Sequence, residues 1–330
     1  MDIREIDPRD QGLVRQWWEI GKLADSDRPH DFHPAWEAAW LTVSEGRDDI
    51  EMVLLGAFDA GVMWGAARID HPRYDNLHAA RAEYFVHPGR RRRGVGTALV
   101  HASYDVARGR DRRVMMTEAY APVDADSPGL LFGAAMGFDP AIEEGMKVVD
   151  LDETEPTWDA LAAEVAPRHR DYRIVTWLDR LPDAYVDGVC RLNEMFYDEA
   201  PMGELQVEPE AWSEERIRMR EQRNVRQRRH DIGAGALDRD GNLVAMTEIG
   251  VSDFASHRGF QSGTLVAPEH RGHSLGLAIK VANHRQLRGA FPECRVLITG
   301  NADVNAPMNA VNERLGYREV ERCVEMQRGL

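Results

Sequence analysis

The sequence is poor in several things, and each shortage closes off a class of function. Its three cysteines, Cys190, Cys294 and Cys323, stand far apart in an odd number. Neither a disulfide framework nor the paired thiol spacing of zinc or redox sites is present. No stretch reaches the ~18 apolar residues of a membrane span. The opening Met1-Asp2-Ile3-Arg4-Glu5 lacks the apolar core and small-residue cleavage site of a secretory signal. A cytoplasmic protein with no membrane partner is expected. Positive charge is also short: 41 Lys and Arg against 56 Asp and Glu leave a formal net charge of −15. A nucleic-acid binder draws most of its affinity from surplus cations, so no nucleic-acid partner is expected and a cationic small substrate fits better.

What is present is enough chain for two cores. The 330 residues exceed what one hydrophobic core usually organises, and the chain aligns on itself. Gly61 matches Gly241 and Val86-His87-Pro88 matches Val266-Ala267-Pro268, both 180 residues later; Met136-Gly137-Phe138 matches Leu315-Gly316-Tyr317 about as far on. Three matches in one order indicate duplication. Each half reads as a short strand, two helical stretches, a hairpin, a strand ending in Val-x-Pro, a helix, a strand, a helix and a last strand. The hairpins are expected at 52–58 with 62–69 and at 232–237 with 243–251, around turns containing Gly61 and Gly241. The expected domains are 1–150 and 171–330, joined by a connector over 151–170 with helical character near Trp158.

The sharpest local signal is Val86-His87-Pro88-Gly89-Arg90-Arg91-Arg92-Arg93-Gly94-Val95-Gly96-Thr97, a strand passing through a basic turn into a helix. Glycines there let backbone N–H groups approach a ligand where a helix N-terminus is unpaired and its dipole positive, a combination suited to pyrophosphate. The second half repeats it as Arg271-Gly272-His273-Ser274-Leu275-Gly276, with Ser274 in place of Gly94. A nucleotide P-loop would need Gly-Lys-Ser/Thr, and a dinucleotide fingerprint a third glycine where Leu99 stands. By charge pattern alone four arginines read as a solvated or nucleic-acid-facing patch. Their frame between Val-x-Pro and Gly-x-Gly favours a cofactor loop. Arg226-Gln227-Arg228-Arg229 has no such frame and reads as helix surface.

Arg91-x-x-Gly94-x-Gly96 after Val86-x-Pro88, with the terminal Gly137-Phe138 and Gly316-Tyr317 pairs, resembles the acyl-CoA motif of the GNAT superfamily of N-acetyltransferases. The resemblance spans both halves. It implies an α/β fold of two tandem GNAT domains, each a mixed, mostly antiparallel sheet flanked by helices, with acetyl-CoA or another acyl-CoA as co-substrate and no metal. It implies that the strand before each loop splays from its neighbour at a bulge. The pantetheine arm would lie at Phe85 and Val86, and at Leu265 and Val266. Phosphates would be held by Arg91, Arg92, Arg93, Gly94, Val95, Gly96 and Thr97, and by Arg271, Gly272, His273, Ser274, Leu275 and Gly276.

An attacking amine must lose a proton. Glu83 is the candidate base, against an exposed strand carboxylate as the alternative; its counterpart is Gly263. Many family members place a reprotonating tyrosine where this chain has Gly133 and Asn312, so Tyr120 is the substitute acid, against a packing role. Asn301, Asn305, Asn309 and Asn312 form a series on the side where relatives hold the CoA arm, with capping as the alternative for one or two. The early loops carry Asp25, Asp27 and Asp31, and Asp198 and Glu199, acidic and interleaved with aromatics, suiting a primary amine with apolar bulk. His30-x-x-His33 lacks further metal ligands. The expected activity is acetyl transfer to a small-molecule amine by direct attack in a ternary complex. A non-catalytic acyl-CoA-binding protein and a peptide N-terminal acetyltransferase are the alternatives, and a monomer and a homodimer are both compatible.

Overall fold

A computed structural model describes residues 1–30 and 32–330; Asp31 lies outside them. The chain runs β1 (Asp2–Glu5), α1 (Gln11–Ala24), α2 (Trp36–Glu45), β2 (Ile50–Asp59), β3 (Val62–Pro72), β4 (Ala79–Val86), α3 (Val95–Arg108), β5 (Val114–Ala121), α4 (Pro128–Ala135) and β6 (Asp139–Asp150). It continues through α5 (Leu151–Thr154), α6 (Trp158–Val165), β7 (Arg173–Leu178), α7 (Val186–Glu199), α8 (Glu214–Gln227), β8 (Arg229–Leu237), β9 (Leu243–Ser252), β10 (Arg258–Val266), α9 (Leu275–Ala290), β11 (Val296–Ala302), α10 (Ala306–Arg314) and β12 (Arg318–Gly329). Both hairpins form where the sequence places them. The first turn takes positive φ at Ala60 (49°) and Gly61 (82°), the twist that a tight hairpin between right-handed strands requires. At the second, the Asp238 carboxylate accepts from the backbone of Asp240 and Asn242, and Gly241 supplies the positive φ.

The chain forms two compact units. The first comprises Met1–Glu143, Met202–Glu208 and Glu321–Leu330; the second comprises Glu144–Pro201 and Pro209–Val320. In the first, β1, β2, β3 and β4 pair antiparallel in sequence, β5 joins β4 in parallel, and residues 322–329 of β12 close the sheet antiparallel to β5. The second repeats the plan with β7 to β10 antiparallel, β11 parallel to β10, and residues 144–150 of β6 antiparallel to β11. Each half of the sequence thus gives its last strand to the unit built by the other half. Periodicity foretold those strands but not this exchange, because a strand's pattern records its buried face and not which neighbour it pairs with.

Alternation along the strands fixes the layers. In the first unit Leu55, Ala57, Ala67, Ile69, Ala80 and Ala82 pack against Val95, Leu99 and Val100 of α3. On the other face Leu54, Phe58 and Ala66 pack against Val14, Trp17 and Trp18 of α1. The row of alanines lets α3 sit close, with its N-terminus free at the sheet's end. In the second unit α9 covers Ile232, Ile249 and Leu297, while α7 lies over Leu237, Leu243 and Met246. The connector docks there too: Leu151, Trp158 and Val165 are buried with Leu277 and Val281 of α9.

Candidate active site

Each unit opens a groove where its one parallel strand pair parts. β4 pairs with β3 as far as Val86, but with β5 only from Ala79 to Ala82. β10 likewise pairs with β11 only from Arg258 to Phe260, while its ladder with β9 runs on to Val266. Residues 83–86 and 263–265 therefore keep one backbone edge without a strand partner, a row of donors and acceptors that an extended ligand can use, while the carbonyls of Gln261, Ser262 and Val266 accept from Thr299, Gln261 and Arg271 side chains. The bulge expected at both strands occurs at one. The register of β10 shifts between Gln261 and Thr264, whereas the β3–β4 ladder runs without a shift.

At the end of each groove lies a helix N-terminus without a side-chain cap. The first helical hydrogen bonds run from Ala98 to Gly94 and from Ala278 to Ser274, so the N–H groups of 95–97 and 275–277 precede them. Gly94 and Gly272 take φ of 81° and 84°, and a Cβ on either would meet nothing within 4 Å. Their two loops use the same pair of left-handed positions. Arg92 (62°) matches Gly272, and Ser274 (58°) matches Gly94, so Ser274 keeps the nest that its loss of glycine put in question. Gly96 differs from Gly276. A Cβ there would lie 3.0 Å from the Phe132 ring, while at Gly276 the nearest atoms, on Val266 and Val311, are 4.0 Å away. A packed aromatic accounts for the glycine at 96 independently of any ligand.

The loop arginines divide by role. Arg91 reaches Asp27 (3.3 Å) and the carbonyl of Ala24 (3.1 Å), and Arg271 pairs with Glu199 and the Val266 carbonyl. The same loop arginine thus meets an acid at or just past the end of a long helix, α1 or α7, in both units. Arg90 stacks on Trp64 at 4.1 Å. Arg92 and Arg93 are exposed, with no partner among the described residues.

Glu83 is the first β4 residue past the paired stretch. It shares a sheet face with Arg68 and Arg81, yet Arg68 is bound bidentately by Asp70 (2.8 and 2.6 Å) and Arg81 by Glu325 (2.8 Å). Its half-buried carboxylate has no hydrogen bond among the described residues, and burial raises its pKa, aided by Glu118 and Asp70 against the pull of Arg68. Tyr120 lies under the Arg28 guanidinium at 3.6 Å, and burial, then Glu118, pushes its hydroxyl far above the usual range. Arg28 is itself clamped to buried Glu321 at 2.6 Å. The position where relatives carry a tyrosine is closed in this unit: a Cβ on Gly133 would lie 2.8 Å from the Met326 sulfur.

The second unit places other groups at these points. Gly263 lies in the bulge, with the Phe196 ring 3.1 Å from where its Cβ would be. Buried Gln261 donates to Thr247 Oγ1 (2.9 Å) and to the Glu248 carbonyl (2.8 Å), and Glu248 is tied to Arg220 at 2.7 Å. Of the asparagine series, Asn305 caps α10, and Asn309 bridges the Ala302 and Asp303 carbonyls while accepting from Lys147 at 2.7 Å. Asn312 is buried between Lys280 (2.6 Å) and Asn301 (2.5 Å). Among the described residues the amide nitrogens of Asn301 and Asn305 make no hydrogen bond, while those of Asn309 and Asn312 are engaged.

Asp25 caps the end of α1 beside His33 at 3.0 Å and borders an open groove of about 450 Å³ with Glu19, Lys22, Arg28 and His30. Asp198 is exposed. No group of three or more metal-ligating side chains occurs among the described residues, and none of their helices is long and apolar enough to cross a membrane. Phe132, Phe196 and Lys280 carried no local motif; they matter through residues far away in sequence.

Residues 16–131 match the acetyltransferase (GNAT) family. Over 110 residues the chain is 42% identical to the mycothiol acetyltransferase of Thermomonospora curvata, an alignment covering 33% of this chain and 35% of that one. It therefore spans about a third of the length of the curated relative it matches. A tandem GNAT protein from the clavulanic acid biosynthesis pathway superposes with a TM-score of 0.82 at 28% identity, covering 99% of this chain and 98% of its own. The chain has the fold of a tandem GNAT protein. A GCN5-related N-acetyltransferase from Sphaerobacter thermophilus, 16% identical over 99% of this chain and 95% of its own, shares the fold at a TM-score of 0.67. Acyl transfer is the chemistry of the family that residues 16–131 match.

Proposed function

We propose that the chain is an acetyl-CoA-dependent N-acetyltransferase acting on a primary amine of a small molecule, with chemistry in the first unit. The observation that carries this reading is Glu83, an unpaired carboxylate at the point where β4 leaves β5, its neighbouring arginines engaged elsewhere. Both loops fit the donor's phosphates: uncapped N–H groups, an open cradle at Gly94 and Gly272, and uncommitted Arg92 and Arg93 at the first. The donor supplies an acyl group activated as a thioester. Glu83 takes the proton that the attacking amine must shed, directly or through water, and burial, by raising its pKa, strengthens it as a base. N–H groups on the free edge of 83–86 face the developing oxyanion. Tyr120 is the candidate proton donor for the leaving thiolate, and the burial that raises its pKa makes it a weak acid for that step. Carboxylates around the groove, Asp25 among them, select a cationic acceptor.

The test combines calorimetry of acetyl-CoA binding with thiol release across a panel of free amines and peptides. Binding to the intact chain, weakened about 100-fold at the altered loop in Gly94→Glu and Gly272→Glu, is expected, with turnover of free amines. No binding to the intact chain overturns the reading. Turnover confined to peptides would move the acceptor class, and binding without any turnover would leave an acyl-CoA-binding protein.

A further inference from the structure

Only three of the chain's 41 cationic residues are lysines, and one of them, Lys280, is the largest fully buried side chain. It lies on α9, one turn past Gly276, with no carboxylate beside it among the described residues. Its amino group donates to Asn312 Oδ1 at 2.6 Å and lies 5.2 Å from the Tyr317 ring centroid. Burial, then Lys147, lowers its pKa to about 7; adjacent His284 is pushed to about 3 and stays neutral. A lysine without a counter-ion in this place destabilises the fold relative to a methionine of similar reach, so its presence there calls for another purpose.

Hydrogen-bond polarity supplies one. While protonated, Lys280 has only donors, and its bond to Asn312 Oδ1 turns that amide oxygen toward the amine. The Asn312 amide nitrogen then requires an acceptor, and it finds Asn301 Oδ1 at 2.5 Å. Asn301 must therefore point its own oxygen inward and keep its NH2 group as a donor. Asn301 is half-buried on β11, three residues beyond the last one paired with β10, at the mouth of the second groove. Side-chain amides pass on orientation and not protons, so this is no proton wire.

We propose that Lys280 and Asn312 are positioning residues that hold Asn301 as a hydrogen-bond donor to a carbonyl oxygen of an acyl-CoA bound in the second unit's groove. The proposal rests on the reading that the second loop binds acyl-CoA. Asn312→Asp separates the two. An aspartate still accepts from Lys280 but cannot donate to Asn301, whose NH2 group then turns inward and leaves its oxygen facing the groove.

Calorimetry with acetyl-CoA is done on the full chain carrying Gly94→Glu, which isolates the second loop. Asn312→Asp is expected to hold or raise the melting temperature yet weaken binding about 10-fold. Lys280→Met, which frees Asn312 to flip, is expected to weaken it two- to threefold, and Lys280→Met with Asn301→Ala to bind no worse than Asn301→Ala alone. Unchanged affinity in Asn312→Asp, or losses at 280 and 301 that multiply, overturns the positioning role. No binding in the Gly94→Glu parent overturns the second-loop reading and this proposal with it.

Discussion

The first and second loops build one backbone shape from different residues. Both need two left-handed positions two residues apart; the first puts its glycine second, at Gly94 after Arg92, and the second puts it first, at Gly272 before Ser274. A non-glycine residue in that conformation costs roughly 1–2 kcal/mol, and each loop accepts one such cost. Toward the grooves the units diverge. The first has an unpaired carboxylate at 83 and an aromatic ring packed on Gly96; the second has a phenylalanine over Gly263, a bulged strand and a buried amide chain. The loop shape proposed to hold phosphates occurs twice, while the carboxylate proposed as the base occurs once.

Glu83→Gln presses hardest on that comparison. It should lower amine-dependent thiol release by about 10² to 10⁴-fold, the range for removing a general base, with acetyl-CoA binding unchanged. Turnover at the parental rate would shift catalysis to the second unit.

The next largest effect concerns Lys280. Its pKa is about 7 in the folded chain against 10.5 unfolded, so the unfolded chain binds more protons between these values and stability must rise with pH across that window. The burden of the buried charge is fully present below pH 7 and is relieved as pH climbs toward 10.5. Urea unfolding of the parent and Lys280→Met should therefore converge with rising pH, by at most about 1.4 kcal/mol per unit; parallel curves would mean that the lysine is effectively solvated.

The smallest effect tests the glycines. Gly276→Ala has room and should stabilise by up to about 1 kcal/mol through helix propensity. Gly96→Ala should lose about that much, unless Phe132→Ala accompanies it. Equal melting temperatures for the two single variants would remove the contrast between the grooves.

Much of this architecture was legible in the sequence because it depends on short-range rules. The hairpin turns at Gly61 and Gly241, the Val-x-Pro strand ends and the stripes of α3 and α9 each need only neighbours along the chain. Glu83 could be placed by its distance from Val86. What could not be read depends on partners distant in sequence: Asp70 and Glu325 engaging the arginines beside Glu83, Phe132 occupying the space over Gly96, and Lys280 fixing Asn312. Asn305 and Asn309 looked alike in spacing; their hydrogen-bond partners separate a helix cap from a loop brace.

The exchange of final strands carries a consequence for biosynthesis. The first unit's sheet is closed by residues 321–330, so a ribosome that has delivered residues 1–143 has not yet made all the parts of that unit. The first sheet must wait, with β5 uncovered, until nearly two hundred further residues have emerged. Nor can recombination trade one half for a foreign copy without replacing a strand in both sheets. After duplication the two copies became a single unit of inheritance, since discarding either half would take a strand from the other's sheet.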